Sequence, residues 1–276
     1  MNSKNSDHDE LTFLNSYDPT LYDRLSLTTD ILVFGISDSI NPNYRKLPEK
    51  KFSILLVKRK THPFKDKWCL PGGFLQIDEE LTNAPKRVLA KETNLHDVYL
   101  EQLYTFGAVN RDPRLRVVNV AYMALINKDQ LQDELLADAA WFNVTQIQKE
   151  NEIKIILKSE IDEICFTLLK INDDINDPLS YKIVDNELLA FDNPLVIFFG
   201  LLRMRNKINY TDIVFNMMPK YFTLKELQNV YEVILGRKLL DPAFRRIIKD
   251  KVVQTEFVRS GKGHRPSLLY RYKDPT

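Results

Sequence analysis

Short apolar and β-branched runs, separated by polar segments, characterise the chain between residues 28 and 144. Residues 28–35 and 52–58 are two such runs, and we expect them to form a hairpin with a long loop. Residues 98–107 and 117–126 have the same strand-like composition, and residues 138–144 are expected to form the last strand of the sheet. The pattern predicts a β-sheet at the centre of the first domain.

Apolar residues recur at helical spacing in the segment that follows residue 144. Residues 145–187 are expected to form a helical insertion, because isoleucine and leucine recur there at helical spacing: Ile153, Ile156, Leu157, Ile161 and Ile164. Residues 188–207 have a basic end and apolar residues at helical spacing. They are predicted to form a further helix of the first domain that leads into a second domain.

The last third of the chain has the element order of a winged helix-turn-helix. A capping box at Thr223 and Glu226 starts an amphipathic helix over residues 222–235, which Gly236 ends. A second helix is expected to follow, with Asp241 as its N-cap. Two short strands joined by a glycine-containing basic loop then predict the wing.

Charge is distributed unevenly along the chain. Residues 203–276 contain sixteen Lys and Arg against seven Asp and Glu, a net charge of +9, whereas the whole chain carries only +1. This asymmetry indicates a polyanionic partner for the second domain. The candidate DNA-binding residues lie on the second helix and in the basic loop: Arg245, Arg246, Lys249, Lys262, His264 and Arg265. The alternative, a solvated face of a structural cap, explains the charges but not their agreement with the helix and hairpin signals.

Composition excludes several classes of protein. No apolar run approaches the ~20 residues of a membrane span, and the polar N-terminus lacks the features of a secretory signal. A cytoplasmic location without a membrane partner is therefore expected. Cys69 and Cys165 lie far apart and form no C-x-x-C pair, so no zinc or disulfide framework is evident. Residues 1–27 are expected to be a loosely ordered extension or a dimer arm.

Residues 68–95 carry the most specific motif in the chain. A Pro-Gly-Gly turn leads through three carboxylates into a helical pattern, and this order resembles the Nudix box. Counted from Gly73, five positions match the box: Glu79, Arg87, Leu89, Glu92 and Leu95. Three positions depart from it, because Val88 and Lys91 replace glutamates and Asn94 replaces a glycine.

These departures fall where the resemblance places the metal site. Positions 88, 91 and 92 share one face of a helix, and in the Nudix family their carboxylates hold magnesium against a pyrophosphate. Magnesium prefers several hard oxygen ligands, whereas this face offers a valine, a lysine and one glutamate. We therefore expect no required cofactor and no working catalytic residue, with Glu79, Arg87 and Glu92 as vestiges. Magnesium at Glu92 and Glu79 is expected only if the chain is an active hydrolase.

Residues 109–116 contain three arginines close together. Arg111, Arg114 and Arg116 offer forked donors that suit phosphate oxygens. Taken alone, the segment is more simply a solvated turn, because Asp-Pro favours turns and arginine is common on surfaces.

The two signatures together resemble the Nudix-related transcriptional regulators of NAD and sugar metabolism. The resemblance covers residues 28–273 apart from the insertion, and rests on WCLPGGF, YLEQLYTFG, RDPRLRVVNVAY, LAFD and YFTLKELQNVYEVILGRKL. It implies a homodimer that binds operator DNA through the winged helix and ADP-ribose or a related metabolite in the Nudix domain. The implied ligand-binding residues are Gly72, Gly73, Arg111, Asp112, Arg114 and Arg116.

The expected architecture is α/β: a Nudix α/β/α sandwich over residues 28–207 and a winged helix-turn-helix domain over residues 208–276. The first functional hypothesis is a transcriptional regulator with a degenerate Nudix domain. The second is an active magnesium-dependent pyrophosphatase that hydrolyses ADP-ribose or a similar compound. A third hypothesis makes the basic domain a protein-interaction module, which a shallow salt dependence of binding would reveal.

Overall fold

The structure, a computed structural model, describes residues 3–39, 49–131, 134–259 and 266–273. Within these ranges, ten strands form one mixed sheet and two more form a separate hairpin. The strands are β1 (Ser26–Asp38), β2 (Lys50–Lys58), β3 (Trp68–Cys69), β4 (Gly72–Phe74), β5 (Tyr99–Phe106), β6 (Val117–Asn127), β7 (Ala139–Lys149), β8 (Glu152–Lys158), β9 (Glu163–Lys170), β10 (Tyr181–Asn186), β11 (Val252–Arg259) and β12 (Ser267–Tyr272). The helices are α1 (Ser3–Ser16), α2 (Ala84–Thr93), α3 (Asn193–Lys207), α4 (Leu224–Leu235) and α5 (Asp241–Ile248).

The large sheet is built around β1. Its strand order is β10-β9-β8-β7-β2-β1-β6-β5, with β3 attached to β2 and β4 attached to β1. Strand β1 runs parallel to β6 and antiparallel to β2, so the predicted hairpin of the first two strands is confirmed. The short strand β4 is antiparallel to the start of β1 and pairs Gly72 with Asp30. This pairing brings the Pro-Gly-Gly turn to the side of the central strand.

The prediction of a helical insertion over residues 145–187 is wrong. This segment completes β7 and forms β8, β9 and β10, which extend the sheet antiparallel beyond β7. The expectation that residues 138–144 form the last strand fails for the same reason. Ile153, Ile155 and Leu157 are buried while their neighbours Glu152, Lys154 and Lys158 are exposed. That alternation has the period of a strand, and a short apolar run satisfies both periods.

One helix of the first domain packs on each face of the sheet, as the sandwich prediction requires. Ile31 and Val33 of β1 join a core with Val88 and Leu89 of α2. Leu32 and Phe34, which alternate with them, face α3 on the other side. Helix α3 lies very close to β1, because a Cβ on Gly200 would stand 2.0 Å from Leu32 Cδ2.

The winged helix-turn-helix is also formed as predicted. Helix α4 begins with the Thr223–Glu226 capping box, and Gly236 ends it in the left-handed conformation. Helix α5 starts at Asp241 itself, with Leu240 as its N-cap, one residue earlier than expected. The buried faces of α4 and α5 join the core beneath α3, so one continuous apolar core links the sheet to the winged helix.

The N-terminal extension has more structure than expected. Residues 3–16 form helix α1 and residues 19–21 a short 3₁₀ turn before β1 begins at Ser26. The two segments and the residue that follows each of them present exposed apolar side chains: Leu11, Phe13, Leu14, Tyr17, Leu21 and Tyr22. In the part of the chain that the structure describes, no helix combines the length and apolar character needed to cross a membrane.

Candidate functional site

A cavity of about 480 Å³ lies beside β1 and β4 and is bounded by the end of β2, the 111–114 loop and the start of α3. Five of the six predicted ligand-binding residues line it: Gly72, Gly73, Arg111, Asp112 and Arg114. Arg116 is not part of the lining, and its guanidinium donates to the carbonyl of Ala108 at 2.9 Å. The topology therefore joins two segments, the glycine turn and the arginine loop, that are separated by nearly forty residues.

Both glycines are closely packed at the cavity floor. A Cβ on Gly72 would stand 2.2 Å from Asp30 Oδ1, and one on Gly73 would stand 3.1 Å from Val88 Cγ2. Cβ atoms do not approach neighbours as closely as the first of these distances without displacing them. The Pro-Gly-Gly turn can therefore lie against the central strand because it lacks side chains there.

Arg111 is held in a buried cluster of charges. Its guanidinium donates to both carboxylate oxygens of Asp192, at 3.0 and 2.7 Å, and one nitrogen lies 3.5 Å from Asp30 Oδ2. Its side chain is only 4% exposed. Asp30 also accepts a hydrogen bond from Asn119 at 2.8 Å. Asp192 therefore occupies one edge of the forked donor that the sequence predicts for phosphate oxygens at this arginine.

The pKa of Asp30 reflects this environment. Burial raises it to about 7, although the positive charge of Arg111 works in the opposite direction. The second carboxylate of the cluster, Asp192, adds to the increase because like charges disfavour ionisation. Asp30 is thus a cavity-lining acid that changes charge near neutral pH.

Arg114 and Arg59 surround the aromatic side of the cavity. Arg114 donates to both oxygens of Asp112, at 3.0 and 2.8 Å, and its guanidinium lies 5.3 Å from the ring of Phe74. Arg59 lies 4.8 Å from the ring centre of Phe191. The cavity thus offers delocalised cations beside aromatic faces, a combination suited to an anionic ligand with a planar group.

The loop-to-helix ion pair of the Nudix box is present. Arg87 donates to the two oxygens of Glu79, at 2.6 and 2.7 Å, and also to the carbonyl of Phe74 at 3.0 Å. The hydrogen bonds from Arg87 lower the pKa of Glu79 below its ordinary value. The pair ties the start of the box loop to α2 and fixes the cavity edge at Phe74.

The metal-binding face of the box does not fit magnesium. Val88 is 2% exposed and packs in the core under Gly73. The Lys91 side chain is 74% exposed, and its ammonium nitrogen stands 3.7 Å from the carboxylate of Glu92. Lys91 and Glu92 both line the cavity, so a cation stands beside the remaining carboxylate. Among the described residues, no group of three or more His, Cys, Asp or Glu side chains is arranged to hold a metal ion.

The candidate DNA-binding residues on α5 point to solvent. Arg245, Arg246 and Lys249 are exposed, while Phe244 and Ile248 on the opposite face are buried. The predicted wing residues Lys262, His264 and Arg265 lie outside the described residues. Helix α5 therefore presents a basic surface while its apolar face secures it to α4.

Sequence patterns did not identify two groups of polar residues. Gln228 and Glu232 form a buried network in the helix-turn-helix turn, where Glu232 accepts from the backbone N–H of Leu239 at 3.0 Å. Their signal is an i, i+4 polar pair on an otherwise apolar stripe. In the cavity, Asp30 and Asp192 were missed, although a lone carboxylate within an apolar strand is itself such a signal.

Family profiles match both parts of the chain. Residues 46–161 match the NUDIX domain, and residues 214–272 match the profile described as the NrtR DNA-binding winged helix domain. The two matches fall on the sheet with its box helix and on the α4–β12 unit.

Several relatives match the chain over nearly its whole length. The ADPR responsive transcriptional repressor NtrR of Acinetobacter baylyi is 32% identical over 268 residues, which cover 95% of this chain and 88% of the relative. A MutT/nudix family protein from Enterococcus faecalis superimposes with a TM-score of 0.71 at 25% identity, covering 96% of this chain and 93% of that one. Shewanella oneidensis NrtR, crystallised with a 27mer DNA, gives a TM-score of 0.62 at 29% identity, with 90% and 93% covered. The chain belongs to the NrtR family of Nudix-related transcriptional regulators.

Proposed function

We propose that this protein regulates transcription by binding DNA through its winged helix and ADP-ribose, or a related nucleotide or sugar phosphate, in the Nudix cavity. One observation carries the proposal. The metal-binding face of the box is replaced by a core valine and a lysine, whereas the cavity beside it is retained and joined to a winged helix through a shared core. These features suit a protein that recognises a nucleotide without hydrolysing it.

The chemistry of the cavity supports a diphosphate ligand. A volume of about 480 Å³ falls in the range of small-molecule sites. Among the described residues that line it, six are cationic: Lys58, Arg59, Lys60, Lys91, Arg111 and Arg114. Arginines bind phosphate oxygens through paired donors, and the rings of Phe74 and Phe191 offer faces for a base. The A. baylyi relative is described as ADPR responsive, which agrees with this ligand class.

The DNA partner is supported by the basic surface of α5. Arg245, Arg246 and Lys249 are exposed on one face, and in the sequence the basic residues Lys262, His264 and Arg265 follow β11 and precede β12. In a winged helix-turn-helix such a second helix enters the major groove while the wing contacts the backbone. We further infer a homodimer, because two helices related by a twofold axis read the halves of a palindromic operator.

We also infer that ligand binding requires no metal ion. Val88 and Lys91 supply no oxygen ligand, and Glu79 is held by Arg87. The competing function is a magnesium-dependent pyrophosphatase, in which Glu92 and other carboxylates at the cavity would hold the metal. Release of AMP from ADP-ribose with magnesium or manganese, lost in Glu92→Gln, would establish that alternative and reject the proposal of a non-hydrolysing sensor.

Two binding measurements test the proposal on the full-length protein. Calorimetry with ADP-ribose in EDTA should show binding that Arg114→Ala weakens by at least about tenfold, the loss expected for a charge-assisted phosphate contact. Anisotropy with a duplex from upstream of the encoding gene should show binding that Arg245→Ala reduces, with a smaller salt slope.

Lys154→Ala is the matched control for the DNA measurement, since it removes an exposed cation from β8 instead of α5. Its DNA affinity should equal that of the wild type. Equal losses in Arg245→Ala and Lys154→Ala would refute a specific DNA interface on α5. Absence of any ADP-ribose binding would refute the assigned ligand.

A further inference from the structure

Helix α3 connects the ligand cavity to the DNA-binding domain directly. At its start, Phe191 and Asn193 line the cavity, and Asp192 between them binds Arg111. Its last turn lies against α4, the first helix of the winged helix. At a rise of about 1.5 Å per residue, the thirteen residue steps from Asp192 to Arg205 span about 20 Å. A single helix therefore has one end in each of the two sites.

Arg205 forms the contact at the far end. Its Nε donates to the carbonyl of Ile234 at 3.1 Å, and Nη1 donates to Gln146 Oε1 at 2.6 Å. The carbonyl belongs to the last turn of α4, where helix geometry leaves acceptors without intrahelical partners. A cation at this position also interacts favourably with the negative end of the helix dipole. Arg205 thus caps α4 from another helix and ties it to β7.

The setting of Arg205 is unusual for an arginine. Burial lowers the pKa of Arg205, and among the described residues no carboxylate lies within ion-pair distance of it. A half-buried cation without a counter-ion depends on the hydrogen bonds that it makes, here those to Ile234 and Gln146. Small movements of α3 along its axis would therefore disturb the end of α4, which the turn to α5 follows at once.

The near end of α3 is poised to respond to an anion. Asp192 occupies the N-cap position of α3 but makes no capping bond, because its carboxylate is bound by Arg111. Phe191, immediately before it, has a φ of 52°, which is strained for a bulky residue. An anionic ligand competing for Arg111 would release Asp192 and allow this turn to rearrange. The conformation of the first residues of α3 therefore depends on whether Arg111 binds Asp192 or the ligand.

From this geometry we propose that α3 transmits occupancy of the cavity to the winged helix, with Asp192 as the sensing end and Arg205 as the positioning residue that holds α4. The ligand identity rests on the function proposed above, but the transmission does not. A single rigid helix, α3, joins the two sites. Gly200 at its middle allows this helix to lie against β1, where only a small residue fits. Such couplings commonly correspond to factors of about five or more.

Hydrogen exchange of the full-length protein tests the transmission without DNA or ligand. Asp192→Asn weakens the hold on Arg111 and so imitates capture of that arginine by an anion. It should speed amide exchange in residues 232–237, at the end of α4, by at least about fivefold. The double variant Asp192→Asn/Arg205→Gln should be compared with Arg205→Gln alone. Exchange in residues 232–237 should differ between these two proteins by less than about twofold. Arg203→Gln is the matched control.

Arg203 lies on the same helix, but its guanidinium donates to the carbonyl of Leu103 in the sheet. When Arg203→Gln is present, Asp192→Asn should therefore still give the fivefold increase in exchange in residues 232–237. If Arg205→Gln does not fold, Arg205→Lys replaces it. Lysine keeps the charge but lacks the two separate nitrogen donors that contact Gln146 and Ile234. An unchanged exchange rate in Asp192→Asn, or an effect that survives loss of Arg205, overturns the proposal. Saturating ADP-ribose should reproduce the effect in the wild type; failure of that arm alone would reject the assigned ligand, not the transmission.

Discussion

The raised pKa of Asp30 predicts a pH-dependent stability that one substitution removes. The folded-state pKa of about 7 lies well above the ordinary aspartate value of about 3.9. Between these two values the folded protein holds a proton that the unfolded chain has lost. Stability conferred by this residue is therefore greatest at low pH and falls as the pH rises towards 7. Asp30→Asn keeps the acceptor for Asn119 but cannot ionise.

The expected size follows from the linkage relation. Each pH unit between the two pKa values corresponds to about 1.4 kcal/mol. From pH 5 to pH 8 the wild type should therefore lose about 3 kcal/mol of unfolding free energy relative to Asp30→Asn, because the loss stops once the folded-state pKa is passed. Urea denaturation of both proteins at pH 5, 6, 7 and 8 measures this difference. Subtracting the two profiles removes the contribution of every other titrating group.

Asp138→Asn is a suitable control, since Asp138 lines the same cavity but is only half-buried and pairs with the exposed Lys60. Asp138→Asn should keep the decrease in stability between pH 5 and pH 8 that Asp30 causes. A flat difference profile between the wild type and Asp30→Asn would refute the reasoning, since it would mean that Asp30 is ionised at pH 5 in the folded protein. A decrease centred well below pH 6 would show that Arg111 outweighs the burial of this carboxylate.

Three further predictions follow from the packing and charge of named residues. Binding of ADP-ribose, measured by calorimetry, should tighten from pH 8 to pH 6 in the wild type but not in Asp30→Asn, because an anion in the cavity favours the protonated acid; equal pH dependence in both proteins would contradict this. Val88→Glu should destabilise the protein by about 3 kcal/mol or more in urea titration, because it buries an unpaired carboxylate in the core; a neutral effect would show that position 88 can turn to the cavity. Glu232→Leu should lose about 2–3 kcal/mol, because the turn after α4 is left with an unsatisfied N–H, whereas Glu256→Leu on the exposed face of β11 should change stability by less than about 0.5 kcal/mol.

Local signals in the sequence correctly identified the elements they govern. The capping box at Thr223 and Glu226 and the glycine at position 236 define α4 because each acts through its own backbone neighbourhood. The Glu79–Arg87 pair was likewise predictable, since eight residues separate the partners within one motif. In these cases the interacting groups are close along the chain, so the sequence pattern and the physical contact coincide.

Two features depend on contacts that sequence spacing does not encode. The strands β8 and β9 were mistaken for helix because the run IKIIL fits both periods, and only pairing with β7 decides between them. The Asp30–Arg111–Asp192 cluster joins residues 81 apart in each direction, on β1, a loop and the cap of α3. Its existence depends on the topology of the sheet, which brings those segments to the same edge.

The defects of the Nudix box are best understood as part of the packing. Val88 fills the space beneath Gly73, while Gly72, the other glycine of the turn, lets the turn lie against β1. Lys91 adds a positive charge beside the only remaining carboxylate of that face. Restoring one acidic residue would therefore not restore a magnesium site, because the buried valine and the lysine oppose it together. Position 88 is thus occupied by a core side chain and position 91 by a cation, beside a cavity that, among the described residues, five further cationic side chains line.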